Sequence, residues 1–180
     1  EMCIRDSSKP VLMAFPPTGE TMPVMPSDRA DRYWMRRALA LAEEAGHSGE
    51  VPVGAIVVGP QGVLGQAAND IEKSGDPTAH AEMLAMRQAV ETAGDKRLLE
   101  TTIYVTLEPC AMCAGAIVLA RIPRVVFAAF DPKGGACGTL RNIIQDERLN
   151  HRCAVHGGLL EGESAELLKA FFARLRKIKR

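Results

Sequence analysis

The spacing of hydrophobic residues along the chain switches between helical and strand periods, and these switches predict the order of the elements. A first helix is predicted from apolar residues at helical spacing, namely Trp34, Ala38, Leu41 and Ala45. The apolar run 53–58 then predicts a buried strand, which the turn at 60–62 joins to a second strand over 63–67. The first half of the chain therefore predicts a helix followed by a β-hairpin.

The second half alternates helical and strand patterns. Asp76-Pro77-Thr78 introduces a predicted helix that closes near Gly94, and β-branched residues predict a third strand over 102–106. A helix from Cys110 to about Ala120 comes next, before the remaining predicted elements: a strand over 125–129, a last strand around 155–159 and a long helix from Ser164. This order predicts an α/β fold with three α/β/α layers, in which helices flank one mixed five-stranded sheet.

Length and composition predict one domain that works inside the cell. The 180 residues suit one globular domain, expected over 28–180, while the five prolines of 1–27 predict a disordered extension or a gene-boundary error. Five cysteines, two of them in a Cys-x-x-Cys, favour metal binding in a reducing cytoplasm over a disulfide framework. Without a signal-peptide core or an apolar run of about 20 residues, no membrane association is expected.

One histidine and two cysteines form a candidate metal site. His80 and the pair Cys110 and Cys113 each follow a proline-containing turn at the start of a predicted helix. A spacing of three on a helix places both sulfurs on one face, at an end where the helix dipole favours thiolates. Three ligands leave a zinc ion one open position for water, which is typical of a catalytic rather than a structural site.

Glu82 is the candidate catalytic residue, because a metal-activated water needs a group that moves protons. Two residues from His80, its carboxylate can lie beside the water without binding the metal. Taken singly, the Cys pair could be a redox motif, His80 a core residue and Glu82 a solvated helix residue. Together, these residues favour a catalytic zinc site over those alternatives.

The chain resembles the cytidine and deoxycytidylate deaminase superfamily, which has the signature His-x-Glu and Pro-Cys-x-x-Cys. Within it the chain looks most like the bacterial tRNA-specific adenosine deaminases. The resemblance is carried by the stretches 50–55, 76–82, 105–116, 124–127 and 131–138.

The resemblance implies a cytidine deaminase-like fold and a homodimer that deaminates the wobble adenosine of a tRNA anticodon, usually in an arginine tRNA. It implies that His80, Cys110 and Cys113 bind Zn²⁺ and that Glu82 shuttles protons. It also implies that Asn69 binds the target nucleoside and that Asp131 borders the RNA. Each of these two also has an ordinary interpretation, Asn69 as a turn former and Asp131 as the start of a flexible glycine-rich loop.

The net charge is zero, with 22 basic and 22 acidic residues, so RNA binding would depend on local patches. The densest basic segment is 174–180, and a cationic helix end is also a common solvated tail. Further candidates are Arg121, Arg124, Arg141 and Arg152.

Three functions are alternatives to a tRNA deaminase. The chain could be a deaminase of free guanine, cytosine or another nucleobase, or a non-catalytic zinc-stabilised RNA-binding module. A thioredoxin-like redox role ranks last.

Overall fold

The computed structural model describes residues 27–178, so the expected extension over 1–27 lies, apart from Ser27, outside the described residues. The elements are α1 (Ser27–His47), β1 (Gly54–Gly59), β2 (Gly62–Ala68), α2 (Ile71–Ser74), α3 (Ala81–Ala93), β3 (Thr102–Leu107), α4 (Ala111–Leu119), β4 (Arg124–Ala129), β5 (Ala154–Gly157) and α5 (Glu161–Ile178). Within 27–178, no helix is both long and apolar enough to cross a membrane.

The five strands form one mixed sheet in the order β2-β1-β3-β4-β5. The β1 strand pairs antiparallel with β2 and β3, whereas β3, β4 and β5 run parallel. Alternate residues of the central strands enter opposite cores: Val57, Val105 and Val125 pack in the core that includes α3 and α4, and Ile56, Tyr104 and Val126 in the core that includes α1. The predicted three-layer α/β/α arrangement is confirmed.

Glycine allows the helices to lie directly on the sheet at two points. A Cβ atom on Gly54 would lie 2.1 Å from the carbonyl oxygen of Ala38 in α1. One on Gly65 would lie 2.2 Å from that of Ala85 in α3. Since neither distance leaves room for a side chain, these glycines set how closely the outer layers approach β1 and β2.

The main differences from the predicted elements lie around α2, α3 and α4. The four-residue α2 was not predicted, and α3 and α4 begin at Ala81 and Ala111, with His80 and Cys110 as extended N-cap residues. The amides of α2 donate to the distant carboxylate of Glu50. A local hydrophobic pattern cannot register a contact of that kind.

The topology brings the chain segments after β2, β3 and β4 to one edge of the sheet. Gly54 at the start of β1 pairs with Ala68 at the end of β2, and its N–H donates to the side chain of Thr106 near the end of β3. Leu107 in turn pairs with Ala129 across the parallel strands. The connections that leave these strand ends carry every candidate site residue, as expected for the carboxyl edge of an α/β sheet.

Candidate active site

His80, Cys110 and Cys113 meet at this edge, with their ligand atoms all within 4.8 Å of one another. The Nδ1 atom of His80 lies 3.7 Å from the sulfur of Cys110 and 3.6 Å from that of Cys113. Within residues 27–178, this is the one group of three or more His, Cys, Asp or Glu residues that could hold a metal ion. The predicted meeting of the two motifs is therefore confirmed.

The donor set fits zinc in chemistry and in size. A sulfur and a nitrogen bound to one tetrahedral zinc ion lie about 3.6 Å apart, given Zn–S bonds of about 2.3 Å and Zn–N bonds of about 2.0–2.1 Å. The two sulfur–nitrogen distances match this value. His80 and Cys110 each cap the helix that follows, so the ligands are placed by α3 and α4 together.

The pKa values of the two cysteines shift in opposite directions. Hydrogen bonds with Cys113 and His80 lower the pKa of Cys110 to about 3. The hydrogen bond to Cys110 raises the pKa of the buried Cys113 thiol, and the bond to Cys110 likewise raises the pKa of His80. The Cys110 thiolate is thus stabilised by its neighbours, and a divalent metal ion would displace the protons held by Cys113 and by a charged His80.

Glu82 is buried, with only 4% of its surface exposed, which excludes its interpretation as a solvated helix residue. Burial raises its pKa, and its side chain hydrogen bonds with that of Cys113. A carboxyl group with a raised pKa accepts and returns protons nearer to neutral pH than an ordinary glutamate does. Glu82 therefore has both the location and the chemistry of a proton carrier.

Asn69 joins the end of β2 to the start of α3. Its side-chain oxygen accepts a 2.9 Å hydrogen bond from the backbone N–H of Ala81, and its own N–H donates to Val53. Because this oxygen is already used as an acceptor, the group that Asn69 offers a ligand is its amide donor. The residue is 9% exposed and its side chain is held at the backbone of Ala81, between His80 and Glu82, so it is not a free turn.

Asp131 begins the loop that follows β4. Its carboxylate accepts a 2.9 Å hydrogen bond from the backbone N–H of Lys133, and its carbonyl accepts one of 2.9 Å from Gly135. Cys110 forms an isolated bridge with Gly135, so this loop lies against a predicted metal ligand. The glycine-rich segment is thus an ordered wall of the site.

Two buried glutamates at the site were not identified from the sequence. Glu108, 2% exposed, accepts backbone hydrogen bonds from Asp131, Cys137 and Thr139. Burial acts to raise its pKa, but the hydrogen bonds from Thr139 and the other amides outweigh it, so the pKa lies below its ordinary value. Glu50, 4% exposed, binds the amides of α2 in the same manner. The only sequence signal was an acidic residue beside an apolar strand.

The arginine candidates divide into two groups. Arg121 donates to the carbonyl of Asn150 and Arg124 to both carboxylate oxygens of Asp31, so both already have partners within the protein. Arg141 and Arg152 have exposed side chains. In the basic segment, Arg174 donates to the carbonyl of Gly46, while Arg176 and Lys177 are exposed and 179–180 lie outside the described residues.

Comparisons with known proteins agree with this geometry. The family model of the MafB19-like deaminases matches residues 29–176. The tRNA-specific adenosine deaminase of Bacillus subtilis (strain 168) is 49% identical over 150 residues, which are 83% of this chain and 93% of the relative.

Solved structures show the same similarity. A structure from studies of A-to-I editing by tRNA:A34 deaminases at the wobble position of transfer RNA has 43% identity and a TM-score of 0.73, over 76% of this chain and 99% of its own. A guanine deaminase from Bacillus subtilis has 36% identity and a TM-score of 0.54, over 59% of this chain and 69% of its own.

Proposed function

This chain belongs to the MafB19-like deaminases, and we propose that it deaminates adenosine to inosine at the wobble position of a tRNA anticodon, with zinc as its cofactor. The observation that carries this proposal is the conjunction of the three-ligand site with the buried carboxyl group of Glu82, in a chain that is 49% identical to a tRNA-specific adenosine deaminase. The proposed tRNA substrate supports a cytoplasmic location.

His80, Cys110 and Cys113 would hold the zinc ion, since they supply one nitrogen and two sulfurs at the separations that tetrahedral zinc requires. Zinc bound there supplies Lewis acidity, which makes water nucleophilic at neutral pH. The helices that these ligands cap direct their amino-terminal dipoles at the site and favour the two thiolates.

Glu82 carries the proton through the reaction. Its carboxylate takes a proton from the water that attacks C6 of adenine and delivers it to N1. The remaining proton of the attacking oxygen then passes through Glu82 to the departing amine, so adenosine and water give inosine and ammonia. The raised pKa of Glu82 suits both directions of transfer, because the protonated and ionised forms lie closer in free energy.

Asn69 and Asp131 bind the substrate in this proposal, from the segments that follow β2 and β4. Asn69 follows β2 and presents its amide donor, which suits an acceptor atom of the target nucleoside. Asp131 follows β4 and presents a carboxylate, which suits a ribose hydroxyl of the anticodon loop. A loop base can be extruded into such a pocket because it is not held in a duplex.

The partners we propose are the anticodon stem-loop of an arginine tRNA and a second copy of this chain. The dimer is supported by an apolar surface on α4, where Leu119 is 82% exposed and Met112, Gly115 and Ala116 are half-buried. An exposed apolar helix face of this kind is characteristic of a protein–protein contact.

The test is a substrate comparison with the zinc-loaded protein. An anticodon stem-loop of an arginine tRNA with a wobble adenosine is incubated with it, in parallel with free adenosine, guanine and cytosine. We expect inosine in the stem-loop and no turnover of the free compounds. Turnover of a free base alone would contradict the proposal and favour the nucleobase deaminases, which the similarity to the guanine deaminase makes the second candidate.

A further inference from the structure

We propose that Glu50 and Glu108 are positioning residues, each of which binds three backbone amides and thereby holds one of the two loops that carry the substrate contacts. The inference rests on the proposed function, because the loops are defined by Asn69 and Asp131. Its physical basis is separate, since it depends only on contacts inside the protein.

Glu108 holds the loop 131–139 against the metal-ligand turn. Its Oε1 atom accepts hydrogen bonds of 3.0 Å from the amides of Cys137 and Thr139, and its Oε2 atom accepts one of 3.1 Å from Asp131. The same residue is two positions before Cys110 and donates its own N–H to Ala129. A single side chain therefore connects the ligand turn to both ends of the substrate loop.

Gly135 shows how tightly this loop is drawn onto the carboxylate. A Cβ atom at Gly135 would lie 2.4 Å from Cδ of Glu108 and 2.6 Å from the carbonyl oxygen of Asp131. Real atoms do not approach so closely, so any side chain at this position would push the loop away from Glu108. The contact requires both a carboxylate immediately after β3 and a glycine in the loop.

Glu50 holds the connection between β2 and α3 in the same way. Its Oε2 atom accepts hydrogen bonds of 3.1 Å from the amides of Ile71 and Glu72, and its Oε1 atom accepts one of 2.9 Å from Lys73. This connection starts at Asn69 and ends at His80, so Glu50 holds the segment between a substrate contact and a metal ligand.

A glutamine substitution at either glutamate should remove one defined hydrogen bond and keep the other two. Glutamine keeps one acceptor oxygen and replaces the other with an NH₂ donor. In Glu108→Gln, the oxygen stays with the two amides of Cys137 and Thr139, and the NH₂ group faces the N–H of Asp131. In Glu50→Gln, the oxygen stays with Ile71 and Glu72, and the NH₂ group faces Lys73. Each variant thus releases one defined end of its loop.

The experiment combines kinetics on the anticodon stem-loop with amide hydrogen exchange by NMR, on zinc-loaded protein. For Glu108→Gln we expect about a tenfold rise in KM, with a smaller change in kcat and unchanged zinc content. The Asp131 amide should exchange at least about tenfold faster while those of Cys137 and Thr139 stay protected. For Glu50→Gln, faster exchange should be confined to Lys73. The matched control is Glu91→Gln, which removes an exposed carboxylate from α3.

Gly135→Ala is the second variant and leaves both glutamates intact. It should raise KM and accelerate exchange across 131–139, whereas Gly162→Ala, where a Cβ has open space, should behave as wild type. This variant decides the question for Glu108 if Glu108→Gln does not fold.

The outcomes separate a positioning role from a purely structural one. Exchange that rises uniformly as the melting temperature falls, with KM per folded enzyme unchanged, would overturn the inference. Unchanged exchange at Asp131 and Lys73 in the glutamine variants would overturn it as well. A wild-type protein that is inactive on the stem-loop would contradict the proposed function, and the exchange data would still decide whether the glutamates hold the loops.

Discussion

At the scale of single residues, the surroundings of Glu82 support its proposed catalytic role. A carboxylate on an exposed face of α3 would have an ordinary pKa, but this side chain is 4% exposed and hydrogen bonds with Cys113. The desolvation that disfavours its charged form is the property that a proton carrier needs. The location of Glu82 two residues from His80 could be read from the sequence, whereas its burial could not.

Glu82→Gln tests this role. The variant is nearly isosteric but cannot exchange protons, so we expect turnover of the stem-loop to fall by about 10²- to 10⁴-fold while zinc content stays at the wild-type level. Single-turnover kinetics and metal analysis measure the two effects. Glu91→Gln on the exposed face of the same helix is the control, and a zinc-loaded Glu82→Gln protein with normal turnover would contradict the assignment.

At the scale of elements, a polar network joins α1 to β3 and β4. Asp31 in α1 accepts hydrogen bonds of 2.7 Å from the hydroxyl of Tyr104 and of 2.8 and 2.6 Å from the guanidinium of Arg124. Burial acts to raise the pKa of Asp31, but these hydrogen bonds outweigh it, and the pKa lies below its ordinary value. The network fixes one end of α1 on the sheet.

Asp31→Asn should lower the free energy of unfolding at pH 7 by about 2 kcal/mol, because Arg124 loses its charged partner. A carboxyl group whose pKa is lower in the folded state stabilises the protein above its unfolded pKa of about 3.9. The difference in unfolding free energy between the variant and wild type should therefore be largest above about pH 5. It should shrink as the pH falls through about 4 and below.

Urea denaturation across this pH range measures the effect. Asp28→Asn is the matched control, since Asp28 lies on the exposed side of α1, where its side chain is 77% exposed and pairs with Arg32. Its removal should change stability by less than about 0.5 kcal/mol. A stability difference for Asp31→Asn that stays constant down to pH 3 would show that the carboxylate is not the cause.

The elements also show where sequence patterns stop being informative. The bounds of the long elements were predicted within a few residues. The spacing of their hydrophobic residues shows whether the element is a helix or a strand and whether one face or both faces are buried. The short α2 was missed because its amides are bound by Glu50, twenty-one residues before Ile71. His80 and Cys110 were predicted in the first turns of helices but are extended caps, and their side chains lie 3.7 Å apart.

For the whole molecule, the α4 surface predicts assembly. Leu119→Lys places a charge on the most exposed residue of this apolar face and should convert the proposed dimer to a monomer. Sedimentation velocity at micromolar concentration measures this change. Leu99→Lys is the control, because Leu99 is 59% exposed and lies outside any helix or strand. A wild-type protein that sediments as a monomer would contradict the dimer.

The basic end of α5 gives a prediction about RNA affinity. Arg174 donates to the carbonyl of Gly46, whereas Arg176 and Lys177 are exposed. Replacing both with Gln should weaken stem-loop binding and reduce the slope of log K against log salt by about 1 to 2. Arg174→Gln should instead lower the stability of the protein. An unchanged salt slope in the Arg176 and Lys177 double variant would exclude the end of α5 from the RNA-binding surface.

The sequence by itself determined the chemistry and the order of the elements. His80 with Glu82 and Cys110 with Cys113 are local pairs, and local spacing at a helix start is enough to predict a zinc ligand set and a proton carrier. Only the tertiary structure decided that the two pairs meet within 3.7 Å, that Glu82 is buried and that Glu50 and Glu108 hold the loops. The physical reason is that these features depend on contacts between distant residues: the strands pair across the sheet, and Glu50 and Glu108 bind amides that lie 21 to 31 positions away in the chain.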